Sequence, residues 1–576
     1  MGYIDTYNEW LGDERLCDEA RAELESIKGD KEKIEYQFGA ELEFGTAGMR
    51  GIIGYGTNMM NVYTVRRATQ GLAEFIKQLG PEAMARGVAI SYDTRLKSDE
   101  FAQAAAEVLA ANGITAFKFT DVHPVPMLSF AVRQMNAIAG IMVTASHNPK
   151  QYNGYKVYGE DGAQMSPEDT AVVVEYIKKT FDYLGTPVPT DEQRKRFIKD
   201  MPAKVDKKYY KELKKLTLSK KAVKKCGKDL KLVYTPVHGS GYIPVTTILK
   251  KIGINVTVVE KQTVKDPEFS TVEVPNPEFK ETLSMGIELA EKTDATVVFG
   301  TDPDSDRLGV AVKNKNGEFE ALSGNQVGIL LLDYILTRLK EENALPTNAA
   351  VVKSFVTTGM AKSICRNFGV KLFEVPVGFK FIGEKIKLWE KDHTHTYVFG
   401  FEESCGYLRG THARDKDAVV ASMLCAEMVC YYTSIGKTVY QRLQEIYDTY
   451  GYVLDCNISI PFKGLNAMKD MNAVVDGLKV NPVTEFDIYK VASVRDYSKN
   501  VKIDVATGKK EEIERGFPVT NCVYYELENG SFICVRPSGT EPKLKIYFSV
   551  KANNQPDAEA ALAKMQAAVK KLIAVK

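Results

Sequence analysis

The sequence lacks an excess of charge of either sign. Its 76 lysine and arginine residues are balanced by 75 aspartate and glutamate residues, which leaves a formal net charge of +1. A protein without a strong field of one sign is not drawn to nucleic acid or to an anionic membrane. We therefore expect neither as a partner, and any binding of phosphate must come from local groups.

Paired cysteine motifs and long hydrophobic runs are also missing. The nine cysteines form no Cys-x-x-Cys pair, and their odd number argues against a disulfide framework and a zinc site. The most apolar long stretch, Ala418 to Cys430, contains Glu427 and is too short to span a bilayer. The first thirty residues hold many acids and no apolar run, unlike a signal or transit peptide. These features predict a cytoplasmic protein with no membrane segment.

What the sequence contains is an alternation of short apolar strands and amphipathic helices, which is typical of parallel α/β domains. The alternation occurs three times and changes after Tyr452 to strands around a predicted hairpin at Asn529-Gly530. We therefore predict three similar α/β domains with mixed, mainly parallel sheets and a smaller C-terminal α+β domain. The predicted boundaries are 1–205, 206–322, 323–451 and 452–576.

Several local elements follow from the same patterns. Ser98 is expected to cap a helix that runs to about Ala111, and helical spacing predicts another helix from Phe279 to Lys292. Asn255 to Glu260 is predicted to be a strand. The lysine-rich stretch 194–231 has no glycine-aromatic recognition pattern, and we interpret it as a solvated linker and helix face.

Four polar loops hold the residues that are suited to chemistry, and three of them directly follow predicted strands of the α/β domains. Right-handed crossovers place the loops after parallel strands on one edge of each sheet. In open α/β sheets, ligands bind at that edge.

The first loop is Thr144-Ala145-Ser146-His147-Asn148-Pro149, with Lys156 shortly after it. A serine beside an imidazole and a nearby lysine is suited to act as a nucleophile or as a phosphate carrier. In the alternative interpretation, Ser146 and Asn148 only shape a turn before Pro149.

The second loop contains Asp302, Asp304 and Asp306 at alternate positions of a tight turn. Three carboxylates so close together repel one another unless a cation lies among them. Ligands that are all oxygen atoms suit Mg²⁺, which keeps water or substrate phosphate at its remaining positions. The alternative is a solvated acidic turn.

The third and fourth loops offer groups that bind sugar hydroxyls and phosphate. Glu402 and Ser404 lie in Gly400-Phe401-Glu402-Glu403-Ser404, and carboxylates accept hydrogen bonds strongly. Arg536-Pro537-Ser538-Gly539-Thr540 combines a guanidinium, two hydroxyls and a glycine in a plausible phosphate cradle. The alternatives are a surface acidic turn for the third loop and a connection between two strands for the fourth.

In this order, the four loops resemble those of the α-D-phosphohexomutase superfamily, which contains phosphoglucomutases and phosphomannomutases. The resemblance covers essentially the whole chain. It implies that Ser146 carries the phosphate and completes a metal site formed by the three aspartates. It further implies that Glu402 and Ser404 read the sugar, and that the distal phosphate is held by Arg536, Ser538, Gly539 and Thr540.

The resemblance implies roles for other residues as well. The segment from Phe44 to Gly51 is similar to the family's N-terminal active-site segment, which makes Arg50 a candidate contact to the transferring phosphate. Lys380 is a candidate for sugar or phosphate binding, and Arg307 for neutralising charge. Either Lys156 or His147 is the general acid or base, and we rank Lys156 first.

The implied activity is the interconversion of hexose 1-phosphate and hexose 6-phosphate, with glucose expected before mannose. A sugar bisphosphate would be the intermediate and activator, Mg²⁺ the cofactor, and the chain a monomer or weak homo-oligomer. Cys405-Gly406-Tyr407 replaces the Gly-His that follows the serine in many members with dual specificity. That departure keeps a phosphopentomutase and a hexose-bisphosphate synthase open.

Two further alternatives lie outside this reaction scheme. In the first, an aspartate of the second loop is the nucleophile, although Leu308 does not suit the usual spacing. In the second, the protein binds sugar phosphates without turning them over.

Overall fold

The computed structural model describes residues 2–45, 48–462, 466–513, 517–538 and 543–574. The chain forms two compact units. Unit 1 comprises residues 1–324, 382–400 and 404–436, and unit 2 comprises residues 325–381, 401–403 and 437–576. The segment 323–451, predicted as a third domain, is thus divided between the two units.

The helices account for the amphipathic segments of the sequence. They are α1 (Tyr3–Gly12), α2 (Asp18–Ser26), α3 (Lys31–Phe38), α4 (Val62–Gln78), α5 (Pro81–Arg86), α6 (Ser98–Ala111), α7 (Val125–Met135), α8 (Pro167–Lys179), α9 (Asp191–Phe197), α10 (Lys204–Lys215), α11 (Lys220–Cys226), α12 (Tyr242–Ile252), α13 (Ser284–Lys292), α14 (Gly324–Glu341), α15 (Met360–Phe368), α16 (Phe379–Asp392), α17 (Ala418–Ser434), α18 (Val439–Tyr450), α19 (Ala467–Val480) and α20 (Gln555–Ala574).

The strands are mostly short and apolar. They are β1 (Gly48–Ile52), β2 (Val88–Tyr92), β3 (Ala116–Lys118), β4 (Ala139–Val143), β5 (Tyr152–Gly159), β6 (Ile198–Asp200), β7 (Leu232–Thr235), β8 (Thr257–Val258), β9 (Val297–Thr301), β10 (Leu308–Lys313), β11 (Phe319–Leu322), β12 (Ala349–Ser354), β13 (Lys371–Val375), β14 (Thr396–Glu402), β15 (Gly406–Leu408), β16 (Tyr452–Pro461), β17 (Glu485–Phe486), β18 (Tyr489–Asp496), β19 (Val501–Asp504), β20 (Lys510–Glu512), β21 (Val523–Leu527), β22 (Phe532–Pro537) and β23 (Lys543–Ala552).

The first sheet of unit 1 is mixed, with the order β1-β5-β4-β2-β3-β6. Strands β4, β2, β3 and β6 are parallel to one another, whereas β5 runs antiparallel to both β4 and β1. All residues of β2 and β4 are buried, because helices cover both faces of a parallel sheet. The loop after β4 therefore begins at the buried centre of the sheet.

The second sheet of unit 1 has the order β11-β10-β9-β7-β8. Strands β7, β8 and β9 are parallel, and β10 returns antiparallel beside β9, with Leu308 opposite Thr301. The aspartate loop is thus the hairpin connection between two buried strands. Because β9 and β10 pair with each other in a fixed register, both ends of the loop between them are fixed in place.

Unit 2 contains the parallel pair β12–β13 and a large antiparallel sheet in the C-terminal region. The order of that sheet is β16-β23-β22-β21-β18-β19-β20, with β17 paired to β18. The predicted hairpin is present, since Val523 pairs with Val535 and Gly530 has a positive φ of 84°. The fold-class prediction is confirmed by these mixed sheets and the antiparallel C-terminal sheet.

Three local predictions were wrong at their boundaries. Ser98 does not cap α6, because its hydroxyl bonds to the buried Asp93 and Lys97 precedes the first turn. The strand predicted at 255–260 is only Thr257–Val258, because the chain bends at Glu260 and brings Gln262 back to the end of β7. The helix predicted from Phe279 begins at Ser284, after a 3-10 turn at 280–283.

The lysine-rich stretch is also more ordered than we predicted. Residues 194–231 are occupied by the end of α9, by β6, by α10 and α11, and by the residues that connect them. Strand β6 extends the first sheet beside β3, and α10 buries Val205, Tyr209 and Leu213. The buried residues of α10 form an apolar stripe at helical spacing, but lysines occupy most of the other positions. The composition of the segment therefore resembled that of a linker.

Among the described residues, no single helix is long and apolar enough to cross a membrane. Helices α17 and α18 meet that criterion only when they are taken together, by length and composition alone.

The packing of unit 2 predicts a sensitive glycine. In α14, a Cβ atom on Gly328 would collide with the buried ring of Phe401. We expect Gly328→Ala to lower the free energy of unfolding by about 1–3 kcal/mol, because overpacking displaces a buried ring. Urea unfolding measures it. Gly12→Ala, which meets no atom within 4 Å, is the control and should not destabilise the protein. An equal loss in both variants would contradict the prediction.

Candidate active site

Ser146 lies in the turn that follows β4 and is buried, with 4% of its surface exposed. Its backbone N–H donates to Thr144 Oγ1 at 2.8 Å. Its hydroxyl donates to Asp302 Oδ2 at 2.9 Å and lies 3.1 Å from His147 Nδ1. The predicted carrier serine therefore directly contacts the predicted metal loop.

The three aspartates of the second loop form a single buried cluster. One carboxylate oxygen from each of Asp302, Asp304 and Asp306 lies within 4.8 Å of the others. The backbone N–H groups of Asp306 and Arg307 donate to Asp302 Oδ1 at 3.1 and 3.0 Å. Sharing one acceptor, these bonds hold the Asp302 side chain toward Ser146.

The charges of this cluster are strongly coupled. Burial, together with the charges of the other two aspartates, raises the pKa of Asp302 well above its usual value. Burial and the charge of Asp304 also raise the pKa of Asp306. Burial also acts to raise the pKa of Asp304, but the charges of Lys156 and Lys416 and the hydrogen bonds with Asp302 and Lys156 together lower that pKa. Two of the three carboxylates are therefore difficult to ionise without more positive charge.

The cluster fits a divalent cation. No described residue donates a hydrogen bond to Oδ1 of Asp304 or of Asp306, although both atoms are buried. A buried charged oxygen without a partner is costly, and oxygen ligands of this kind suit hard cations. The arrangement is therefore able to bind a metal.

Two lysines supply positive charge beside the cluster. Lys156 Nζ, on β5, lies 2.9 Å from Asp304 Oδ2. Lys416 Nζ lies 3.0 Å from Asp306 Oδ2 and 3.2 Å from Asp415 Oδ1. Sequence reasoning missed Lys416 and Asp415. The available signal was the charged run Arg414-Asp415-Lys416-Asp417 directly before an apolar helix.

His147 is placed to interact with the serine oxygen. Burial lowers the pKa of its imidazole well below the usual value, and the charges of Arg307 and Arg50 lower it further. The imidazole is therefore neutral near pH 7. A neutral imidazole has one ring nitrogen without a proton, which is able to accept a hydrogen bond.

The two predicted arginines of unit 1 have different partners. Arg50, on β1, donates from Nη1 to Asn148 Oδ1 at 2.9 Å. Arg307 donates to Glu278, a residue that sequence reasoning missed. Although burial lowers the pKa of Arg307, Glu278 and the aspartates raise it above its usual value, so this guanidinium stays charged.

The remaining predicted residues are divided between the units. Unit 1 contains Ser404 and every site residue described so far. Unit 2 contains Lys380, Glu402, Arg536 and Ser538, whereas Gly539 and Thr540 lie outside the described residues. Glu402 is the last residue of β14 rather than part of the loop.

Within unit 2, the predicted sugar and phosphate residues have defined neighbours. Glu402 Oε1 accepts from the Gly378 N–H at 2.8 Å, and Gly378 lies just before α16 and Lys380. Arg536 reaches Tyr547 Oη at 3.5 Å, and the Ser538 N–H donates to Lys543 O at 2.8 Å.

Comparison with known proteins identifies the family. Sequence models of the phosphoglucomutase/phosphomannomutase α/β/α domains I, II and III match residues 41–183, 207–317 and 323–450. The model of the C-terminal domain matches residues 488–571. The chain belongs to the phosphoglucomutase/phosphomannomutase family, whose members are intramolecular phosphotransferases. Our prediction of family and enzyme class is thereby confirmed.

Individual relatives agree over almost the full length. A phosphoglucomutase of Staphylococcus aureus (strain USA300) is 36% identical over 559 residues, which is 96% of this chain and 98% of the relative. A putative phosphomannomutase from Thermus thermophilus has a TM-score of 0.67 at 23% identity, covering 92% of this chain and 99% of the other. The open form of parafusin from Paramecium gives a TM-score of 0.68 at 17% identity, covering 92% and 95%. These two structures support the fold.

The charge arrangement predicts a role for Lys416 in the cation-free protein. We expect Lys416→Gln to lower the melting temperature without divalent cations, because Asp306 and Asp415 lose a buried counter-charge. Removing one partner of a buried ion pair costs about 3–5 kcal/mol. An added divalent cation should restore part of this loss.

Thermal melts in EDTA and with added cation measure both effects. The control is Lys231→Gln, which removes an exposed lysine paired with Asp294. If both variants melt like the unaltered protein in EDTA, Lys416 does not stabilise the cluster.

Proposed function

We propose that the chain interconverts glucose 1-phosphate and glucose 6-phosphate, with Ser146 as the phosphate carrier. The observation that carries this proposal is the 2.9 Å hydrogen bond from Ser146 Oγ to Asp302, within a buried group of three carboxylates. The relatives named phosphoglucomutase, similar over almost the whole chain, support glucose as the sugar.

The proposed cycle begins with phosphorylated Ser146. The hydroxyl oxygen of a sugar monophosphate bonds to the phosphorus of this residue and gives up its proton, while the bond from phosphorus to Ser146 Oγ breaks and Oγ takes up a proton, which leaves a bound bisphosphate. The bisphosphate turns end for end, and the other phosphoryl group then moves back to Ser146 Oγ. In phosphoryl transfer, positioning and charge neutralisation supply most of the catalysis.

The residues of unit 1 have separate tasks in this cycle. Arg50 and Arg307 offset the charge on the transferring phosphoryl group. His147 lies at the serine oxygen, whereas Lys156 is bound to Asp304, so these two candidates for proton transfer act at different atoms. His147 has the more direct contact with Ser146, which supports it as the group that exchanges a proton with Oγ, and the ranking of Lys156 first stays a prediction.

The cofactor in this proposal is Mg²⁺. Held by Asp302, Asp304, Asp306 and an oxygen of phosphorylated Ser146, it would neutralise charge as the phosphoryl group moves. The support is the all-oxygen donor set with two orphaned buried oxygens. A sugar bisphosphate would phosphorylate Ser146 at the outset.

The substrate contacts of the third and fourth loops complete the proposal. Glu402 and Ser404 would bind sugar hydroxyls, and Lys380 would bind the sugar or its phosphate. The distal phosphate would be held by Arg536, Ser538, Gly539 and Thr540. The support is the match of these positions to the family's loops, at residues covered by the third and fourth domain models.

The first test compares sugars and removes the serine. We expect Mg²⁺-dependent conversion of glucose 1-phosphate, with a trace of glucose 1,6-bisphosphate, to be faster than conversion of ribose 1-phosphate. Ser146→Ala should lower kcat by on the order of 10⁴-fold or more, because it removes the group that carries the phosphate. Ser26→Ala, at an exposed serine of α2, is the control.

Each other outcome identifies a different function. Activity that survives in Ser146→Ala would point to an aspartate nucleophile, and faster turnover of ribose 1-phosphate to a phosphopentomutase. Net formation of bisphosphate would indicate a bisphosphate synthase. Sugar-phosphate binding without turnover would leave only a binding protein.

A second test concerns the metal. We expect Mg²⁺ to raise the melting temperature of the unaltered protein, because a ligand that binds only the folded state stabilises it. Asp304→Asn should abolish this rise, because it removes one of the three carboxylates that would hold the cation. Asp294→Asn, at an exposed acid, should respond to Mg²⁺ normally. An undiminished Mg²⁺ response in Asp304→Asn would refute the assignment.

A further inference from the structure

The turn that carries Ser146 has an unfavourable backbone conformation. Ser146 has a φ of 52°, in the left-handed region that residues with a side chain rarely adopt. Such a conformation persists only where surrounding contacts determine it, and it is common where catalytic groups are held. Which contacts hold this turn is therefore a question about how the nucleophile is positioned.

One buried side chain contacts the turn at four points. Arg95 Nη2 donates to the backbone carbonyls of Ser146 at 2.6 Å and of Asn148 at 2.5 Å. Its Nη1 donates to the carbonyls of Pro149 at 3.0 Å and of Tyr152 at 3.1 Å. The Arg95 side chain is 0% exposed. The planar guanidinium is suited to bind several acceptors at once, which a lysine ammonium cannot reproduce.

A second path reaches the same serine from Asp93, at the end of β2. Asp93 Oδ1 accepts from the Arg95 N–H at 2.9 Å, and Oδ2 accepts from Thr144 Oγ1 at 2.6 Å. Thr144 Oγ1 in turn accepts from the Ser146 N–H at 2.8 Å. Asp93 and Thr144 are buried. Through Arg95 and Thr144, Asp93 is thus linked to both the carbonyl and the amide of Ser146.

The guanidinium also contacts an aromatic ring from the region of the second sheet. Its carbon lies 5.1 Å from the centre of the buried ring of Phe269. The hydrogen bonds of Arg95 and Asp93 go to the turn, to Ser98 and to each other, whereas Ser146 Oγ bonds to Asp302 and His147. Arg95 and Asp93 therefore act on the reacting atoms through the backbone.

We propose that Arg95, Asp93 and Thr144 form a clamp, that is, a positioning unit that holds Ser146 in its left-handed turn with the hydroxyl directed at Asp302. The proposal rests on the proposed function for its kinetic consequence, but the clamp itself is a structural property. Loss of the clamp lowers kcat and leaves KM nearly unchanged, because bound sugar meets a misplaced serine. Misplacement of a reacting group by about 1 Å costs on the order of 100-fold in rate.

The decisive variant is Arg95→Lys, which keeps the charge and loses the planar donor set. We expect kcat for glucose 1-phosphate to fall by roughly 100-fold, with KM changed by less than about threefold. The matched control is Arg86→Lys, because Arg86 also binds the backbone carbonyls of Asn136 and Ala137. That variant should keep the unaltered kcat. An unaltered kcat in Arg95→Lys would overturn the proposal.

A second pair of variants covers the case in which Arg95→Lys does not fold. Thr144→Ser keeps the hydroxyl that connects Asp93 to Ser146, whereas Thr144→Val keeps the shape and removes it. We expect Thr144→Val to lose at least about tenfold more kcat than Thr144→Ser. Equal losses in the two variants would show that packing alone matters and would overturn the role of Thr144.

Amide hydrogen exchange separates this proposal from the proposed function. In the full chain without sugar, peptides covering 144–152 should exchange faster in Arg95→Lys and in Thr144→Val than in the unaltered protein. Peptides of α4 and of the C-terminal sheet should not change. If the unaltered protein proves inactive on sugars, the proposed function fails. The exchange measurement would still show whether the clamp holds the turn. Unchanged exchange at 144–152 would overturn the clamp whatever the activity.

Discussion

The concentration of negative charge at Asp302, Asp304 and Asp306 is the constraint on which the arrangement of unit 1 depends. Removing an ion from water costs several kcal/mol even after relaxation of the protein. Lys156 and Lys416 each contact one of these carboxylates, and the backbone N–H groups at 306 and 307 satisfy Asp302. Compensation is incomplete, since the pKa values of Asp302 and Asp306 remain raised. The negative charge of the cluster is thus not fully compensated, and a cation would stabilise it beside the serine that would carry a phosphate.

The backbone conformation of three loops places their side chains near the aspartate cluster. Ser146, Ser305 and Cys405 stand in three different loops, and each has a φ between 49° and 60°. Left-handed residues reverse the chain sharply, so each loop turns back within a few residues after its strand. The Leu308 N–H donates to Cys405 O at 3.0 Å, which ties two of these turns together. The hydrogen bond from Ser146 Oγ to Asp302 joins the third turn to them, so Ser146, Ser305 and Cys405 lie in turns that are bonded to one another within unit 1.

Much of the fold could be predicted, because the spacing of apolar residues along the sequence indicates which positions are buried. Short apolar runs such as those of β4 and β9 indicated strands, and the polar residues after them indicated loops at one sheet edge. The antiparallel return of β5 and β10 could not be predicted, because parallel and antiparallel strands that are buried on both faces look alike in sequence. Helix α10 was mistaken for part of a linker because its lysines outnumber the apolar residues of its buried stripe.

The supporting contacts were missed for a different reason. Arg95 binds carbonyl groups, and every residue has a carbonyl, so no residue pattern in the turn indicates its partner.

The way in which Ser146 is held has a consequence for the proposed cycle. A serine held at both its amide and its carbonyl by buried groups cannot travel between two acceptors, whereas a bound bisphosphate is tied only by noncovalent contacts. In the proposed cycle, Ser146 would therefore be the fixed element, and the sugar would present its two ends in turn.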